Sequence, residues 1–157
     1  MVKSNLNKKI VVSIFSVLAL WLVGIIITPI LAAGGGAFGQ FMYFLYKPVC
    51  HQMADRSFGI DGFTLAVCIR CFGFYLGGLL VTSFYLFKEN IYMWRMTSYI
   101  FCVLPAFLDF LLEKINIYTN IGELRLLTGI LLGIAVFQLL FVSLFINKPK
   151  QKVETVA

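Results

Sequence analysis

From Ile10 to Ala33 the chain runs for 24 residues without one charged side chain. Ser13, Ser16, Gly24, Thr28 and Pro29 are the interruptions. At about 1.5 Å per residue, about 20 residues of helix cross the hydrocarbon core of a bilayer. Hydrophobic residues make up 61% of the 157 residues and charged ones 13%, against about 45–50% and about 25% in soluble domains. A soluble globule of this size cannot bury so much apolar surface. This excludes an ordinary cytosolic enzyme, a disordered chain and a small secreted scaffold. The length suits one domain, read as a membrane-embedded unit over 1–147 with a polar tail at 148–157.

Lys3, Lys8 and Lys9 precede the first run, as they would in a signal peptide, and Ala32, Ala33 and Gly34 are small enough for a cleavage site. A signal h-region is only about 7–15 residues long, so an uncleaved helix is expected. Three further apolar runs follow, at about 63–87, 92–112 and 124–146, separated by Lys88-Glu89-Asn90 and by residues 113–123. Tyr92, Trp94 and Tyr99 suit an interfacial aromatic belt, and no period of two suggests a barrel. The expected fold is an all-α membrane protein: a four-transmembrane-helix bundle with a short interfacial helix and a Cys/His-containing outer loop at 34–62.

Net charge is +6. In a membrane protein such an excess points to orientation, not to nucleic acid. With four spans, the N-terminus, the link at 88–95 and the tail share one side, which holds 8 basic and 2 acidic residues. The other side holds 5 of each. The basic side is expected to be cytoplasmic, with both termini on it, in the cell membrane. In the outer loop, Gly34, Gly35, Gly36 and Gly39 start a flexible stretch. Phe38, Phe41, Met42, Tyr43, Phe44, Leu45 and Tyr46 then read either as an interfacial helix ending before Pro48 or as a re-entrant segment packed on the bundle.

Three of the four cysteines gather near this loop: Cys50, followed by the single histidine His51, and the pair Cys68-Ile69-Arg70-Cys71. Cys68 and Cys71 stand at i and i+3 on one helix face. The helix N-terminus and Arg70 both favour thiolates there. Three readings stay open. Cys50, His51, Cys68 and Cys71 hold a metal, with zinc in a Cys₃His site first and another thiophilic metal admissible. Adjacent side chains such as Cys50 and His51 converge poorly on one ion, so His51 also fits a supporting role. Alternatively, Cys68 and Cys71 form a redox dithiol with Cys50 as exchange partner, although such membrane oxidoreductases usually carry a second cysteine pair. In the third reading, two of the cysteines simply make a structural disulfide in a transport or assembly subunit. Cys102 reads as a buried apolar residue. Phe72 after Cys71 disfavours haem attachment, and no phosphate loop or nucleotide fingerprint is present.

Arg70, Asp109 and Arg125 are charges inside apolar spans. A lone charge costs roughly 2.5–3.5 kcal/mol at a span's centre, so Asp109 is expected to pair with one or both arginines. The arrangement serves either as a packing lock or as a functional polar cavity. Glu113 and Glu123 fit its rim or ordinary solvation. Gly73/Gly77/Gly78 and Gly129/Gly133 allow close helix approach, either inside the bundle or to a second copy or another subunit. They point to a core of the last three spans with the first more peripheral. Gln52, Arg56 and Ser57 complete the outer cluster, as anion ligands, supports for His51 or a solvated loop tip.

Pro48-Val49-Cys50-His51-Gln52, Arg56-Ser57, and Cys68-Ile69-Arg70-Cys71 with Gly73, Tyr75 and Gly77 resemble an uncharacterised family of prokaryotic multi-pass membrane proteins, the domain-of-unknown-function family 2085. Asp109 and Arg125-x-x-Thr128-Gly129-x-x-x-Gly133 extend the resemblance. It implies a multi-pass protein with a Cys/His outer motif and brings no activity with it. The expected partner is the lipid bilayer.

Overall fold

The computed structural model describes residues 7–60, 62–88, 93–115 and 121–146. Among them are five α-helices: α1 (Lys8–Ala33), α2 (Ala37–Tyr46), α3 (Ile69–Phe87), α4 (Met96–Lys114) and α5 (Gly122–Ile146). A single turn of 3₁₀ helix (Ala54–Arg56) and a two-stranded antiparallel ribbon, β1 (Gly59–Ile60) with β2 (Phe63–Thr64), lie between α2 and α3. Three helices, α1, α3 and α5, are long and apolar enough to cross a membrane, and α4 contributes a shorter apolar stretch, Met96–Leu112. Lys3, Tyr92 and the tail at 148–157 lie outside the described residues.

Asn7 caps α1 by accepting from the Lys9 backbone N–H. Gly34 to Gly36 then reverse the chain, with Gly35 at φ 71°, and α2 folds back along the end of α1. The approach is close because Gly39 has no side chain: a Cβ there would collide with the backbone of Leu31 and Ala32. Phe38, Phe41, Phe44 and Leu45 face outward while Gly39 and Tyr46 are buried, the one-sided pattern of an interfacial helix.

The tightest pair is α3 with α5. A Cβ on Gly73 would meet Leu126 O, one on Gly77 would meet Ile130 O, one on Gly129 would meet Arg70 O, and one on Gly133 would meet Phe74 O. Only helices with glycine in these positions bring their backbones together. The register rises along both chains, from 70 against 129 to 74 against 133, so α3 and α5 run parallel. α4 must therefore return the chain, and Asp109 near its end meets Arg70 and Thr128 near the starts of the other two. α1 runs against α3: Val11 packs with Val81, Tyr85 and Phe145 at one end, and Leu22 and Ile25 with Cys50 and Val67 at the other. The four long helices thus alternate in direction.

Three expectations change. The second long helix starts at Ile69, not at Phe63, because Gly62 at φ 84° turns the ribbon and Cys68 adopts an extended N-cap conformation. Leu65, Ala66 and Val67 are buried there as loop core, so their hydrophobicity signals packing and not span length. The Gly73/Gly77 and Gly129/Gly133 faces are consumed within the chain and are not open to a second subunit. α1 is less buried than α3 and α5, as expected, but it is not the outermost helix, and its Leu22 and Ile25 floor the cysteine region. α4 is the more exposed helix, with Ile100, Phe101, Leu104, Phe107 and Phe110 all outward.

Replacing Gly133 with Ala sets a methyl against the Phe74 backbone, which cannot yield without parting the helices. We expect a loss of about 1–3 kcal/mol, read as a lower thermal midpoint in detergent. Leu139→Ala, on an outward side chain, should leave the midpoint nearly unchanged.

Candidate metal centre

Cys50 lies four residues past the end of α2. The Val49 and Cys50 N–H groups both donate to Tyr46 O, at 3.1 Å, which folds the chain under the helix end. Gln52, at φ 53°, is the one non-glycine residue in the left-handed region among those described. Its Nε2 donates to Tyr43 O at 2.7 Å and to Ala66 O at 2.9 Å. Those bonds clamp the Cys50 loop to the segment leading into α3, and Tyr43 Oη donates to Thr64 O beside them. Gln52 is therefore a support for the loop. No helical turn joins it to Arg56, and Ser57 donates locally to Met53 O.

These ties bring three sulfurs together. Cys68 is the N-cap of α3 and Cys71 its third residue, and with Cys50 their Sγ atoms all lie within 4.8 Å of one another. All are free thiols, as is Cys102, which sits on α4 outside the group. A tetrahedral ion with bonds of about 2.3 Å sets its sulfurs about 3.8 Å apart. A group this compact reaches that geometry by small rotamer shifts. Cys50 is buried and its sulfur accepts from the Cys68 backbone N–H at 3.1 Å. Hydrogen bonds from the Cys68 and Cys71 thiols hold the Cys50 thiol well below its ordinary range, with burial opposing and the backbone N–H groups of Cys68 and Gln52 assisting. Such donors favour the thiolate, the form that binds metals.

His51 lines the same cavity but is exposed, and it is not among the group of mutually close ligands in the described residues. The cavity, about 250 Å³, is lined by the three cysteines, His51, Gln52 and Arg56, and by Arg70 and Arg125 from the starts of α3 and α5. Arg70 Nη2 forms a salt bridge with Asp109 Oδ2, which also accepts from the Thr128 hydroxyl at 3.4 Å. Asp109, Arg125 and Thr128 are each at most 3% exposed. The pairing expected for Asp109 is thus met by Arg70. Thr128 is the partner that residue-by-residue reading passed over, although its place three residues after Arg125 puts it on the same face. A second buried polar pair, Tyr85 Oη donating to Gln138 Oε1 at 2.9 Å, ties α3 to α5 away from the cavity. A glutamine inside an apolar span was its available signal.

Residues 50–139 match the family model described as predicted membrane protein (DUF2085). An uncharacterized protein of Methanocaldococcus jannaschii is 35% identical over 98 residues, 60% of this chain and 63% of the relative. An uncharacterized protein of Methanothermobacter thermautotrophicus is 27% identical over 90 residues, 57% of this chain and 81% of the relative. This chain thus spans less than two thirds of the length of the first relative. No solved structure matches it. The matched stretch begins at Cys50 and takes in the three cysteines, Arg70, Asp109, Arg125 and Thr128, while α1 and α2 precede it.

Two expectations follow from this geometry. Asp109→Asn removes the countercharge of Arg70 and should cost about 2–3 kcal/mol, less than a fully buried pair because the Arg70 side chain is 22% exposed. Chemical unfolding in detergent measures it, and Arg70→Met combined with Asp109→Leu should recover part of the loss. Gln52→Leu leaves Tyr43 O and Ala66 O without their donor, so Cys50 should become more reactive toward a bulky maleimide than in the parent protein.

Proposed function

The chain belongs to the DUF2085 family of predicted membrane proteins, and we propose that it is a four-span protein whose Cys50, Cys68 and Cys71 hold one thiophilic metal ion, zinc first. One observation carries the reading. Two segments separated by 17 residues of loop and ribbon deliver three sulfurs to within 4.8 Å of one another, around a buried thiol that the Cys68 and Cys71 thiols, helped by backbone N–H groups, already favour as thiolate. Thiolate-rich tetrahedral sites suit zinc, and softer ions such as Cu(I) share the preference. Three protein ligands leave a fourth position for solvent or for His51, with the guanidinium-lined cavity beside it.

The parallel course of α3 and α5 supports α4 as the fourth span, since the chain between them must recross the same thickness. The cluster of Val11, Tyr85 and Phe145 puts the start of α1 and the end of α5 opposite the cysteines. With 8 basic residues on that side against 5 on the other, we place it in the cytoplasm and the metal site at the outer leaflet of the cell membrane.

The full chain, purified in mild detergent without chelator, should carry about one equivalent of a transition metal by mass spectrometry. Cys50→Ser, Cys68→Ser and Cys71→Ser should each lower metal affinity at least tenfold, and His51→Ala should have a smaller effect. Less than about a tenth of an equivalent, with all three thiols titratable, would sink the proposal. If the metal-free protein instead cycles reversibly between dithiol and disulfide, the three close thiols serve thiol–disulfide exchange.

A further inference from the structure

α2 runs along α1 and not across it. Near its start, a Cβ on Gly39 would strike the backbone of Leu31 and Ala32. At its end, the Tyr46 hydroxyl donates to Trp21 O at 3.2 Å and fills the place of a Gly24 side chain. As α2 advances from 39 to 46, its contacts on α1 thus retreat from 32 to 24. The two helices are antiparallel, and α2 heads back down the span that α1 has just climbed. A helix lying flat in the membrane plane meets a span at one level, whereas α2 meets it at two. Cys50 stays at the lower level, in one cluster with Leu22 and Ile25. Ile25 is seven residues before Ala32, about 10 Å of helix.

Surface and backbone both suit that depth. No charged residue occurs from Gly34 to Tyr46. α2 turns Phe38, Phe41, Phe44 and Leu45 outward. Over the same height α1 turns Ile26, Ile27 and Ile30 outward, so the apolar exterior of the span continues on α2. The exposed Gln40 sits in the first turn of α2, at the shallow end. Lys47, at the foot, is exposed too. Helical side chains lean toward the helix N-terminus, which for α2 is the direction of the membrane surface, so its ammonium snorkels there. In hydrocarbon no water satisfies a helix end. Protein satisfies this one: Tyr43 O accepts from Gln52 Nε2, Phe44 O from the Lys47 N–H, and Tyr46 O from the Val49 and Cys50 N–H groups. We infer that α2 is a re-entrant half-helix. It dips into the leaflet on the cysteine side, acyl chains of the lipid cover its aromatic face, and it carries Cys50 about 10 Å below the end of α1. The sulfur group then sits beneath the membrane surface, at the foot of α2. The inference rests on α1 being a span, part of the proposed topology, and not on the sulfurs holding an ion.

Tryptophan quenching reads the depth, in phosphatidylcholine vesicles whose acyl chains carry bromine either near the headgroup or near the chain end. The full chain, with Trp21→Phe and Trp94→Phe to remove the native signal, receives one tryptophan at a time: Phe38→Trp, Phe41→Trp or Phe44→Trp, all at outward positions. Leu20→Trp, outward near the middle of α1, marks the depth of a span. We expect depth to increase from 38 through 41 to 44, by up to about 9 Å in all. The shallow bromine should quench Phe38→Trp more, and the deep bromine Phe44→Trp more. Equal depths at 38 and 44, with Leu20→Trp deep, mean a flat interfacial helix: the inference falls and the topology stands. Quenching of Leu20→Trp but of none of the three on α2 also overturns the inference, because water or a protein partner then covers that face. A shallow Leu20→Trp removes α1 as a span, and with it both the four-span topology and this inference. If Phe38→Trp or Phe44→Trp fails to fold, Phe41→Trp supplies the second depth. If Trp21→Phe unfolds the chain, the same quenching is read as the difference from the parent protein.

Discussion

Gly129 rests against the backbone of Arg70 with no room for a methyl group between them. The rest of the site depends on that contact. It sets the first turn of α3 against the first turns of α5, so that Arg70 and Arg125 reach one cavity. It also fixes the height of Cys68 and Cys71, which occupy the same turn of α3 as Arg70. Gly73, Gly77 and Gly133 repeat the contact along both helices. In lipid, where no hydrophobic force drives helices together, backbone approach of this kind is a principal source of association.

The electrostatics follow from the same geometry. Two arginines at the starts of parallel helices repel, and the returning α4 supplies Asp109 to Arg70, with Thr128 as a second donor to its carboxylate. The charge pair locks α4 onto the other two helices, while the apolar side chains of α4 face outward. Arg70 and Arg125 line the cavity beside a thiol group that gains negative charge whenever it is deprotonated. Cations next to thiolates form a mutually stabilising arrangement.

Much of this was legible in the residues. Long apolar runs pointed to the long helices, because membrane solvation is a strong constraint on composition. The cost of a charge in a span predicted that Asp109 would find an arginine, and the i, i+3 spacing predicted that Cys68 and Cys71 would share a face. Other features were hidden. Phe63 to Val67 look like the start of a span, yet a glycine turn makes them a ribbon and a buried loop. Gln52 reads as a polar loop residue, and only its left-handed backbone and its two carbonyl partners reveal a clamp. His51 looks like a fourth ligand by proximity in sequence, but neighbouring side chains leave the backbone in different directions, and it is exposed while Cys50 is buried. The glycine stripes announced close packing without naming the partner helix, since spacing carries no information on which surface approaches.

The central claim is that three sulfurs share one ion. X-ray absorption at the metal edge of the protein, purified without chelator, tests it most directly. The account predicts a shell of three sulfur scatterers, at about 2.3 Å if the metal is zinc, with one sulfur fewer in Cys50→Ser. A shell of nitrogen and oxygen alone, or a spectrum unchanged by Cys50→Ser, would contradict it.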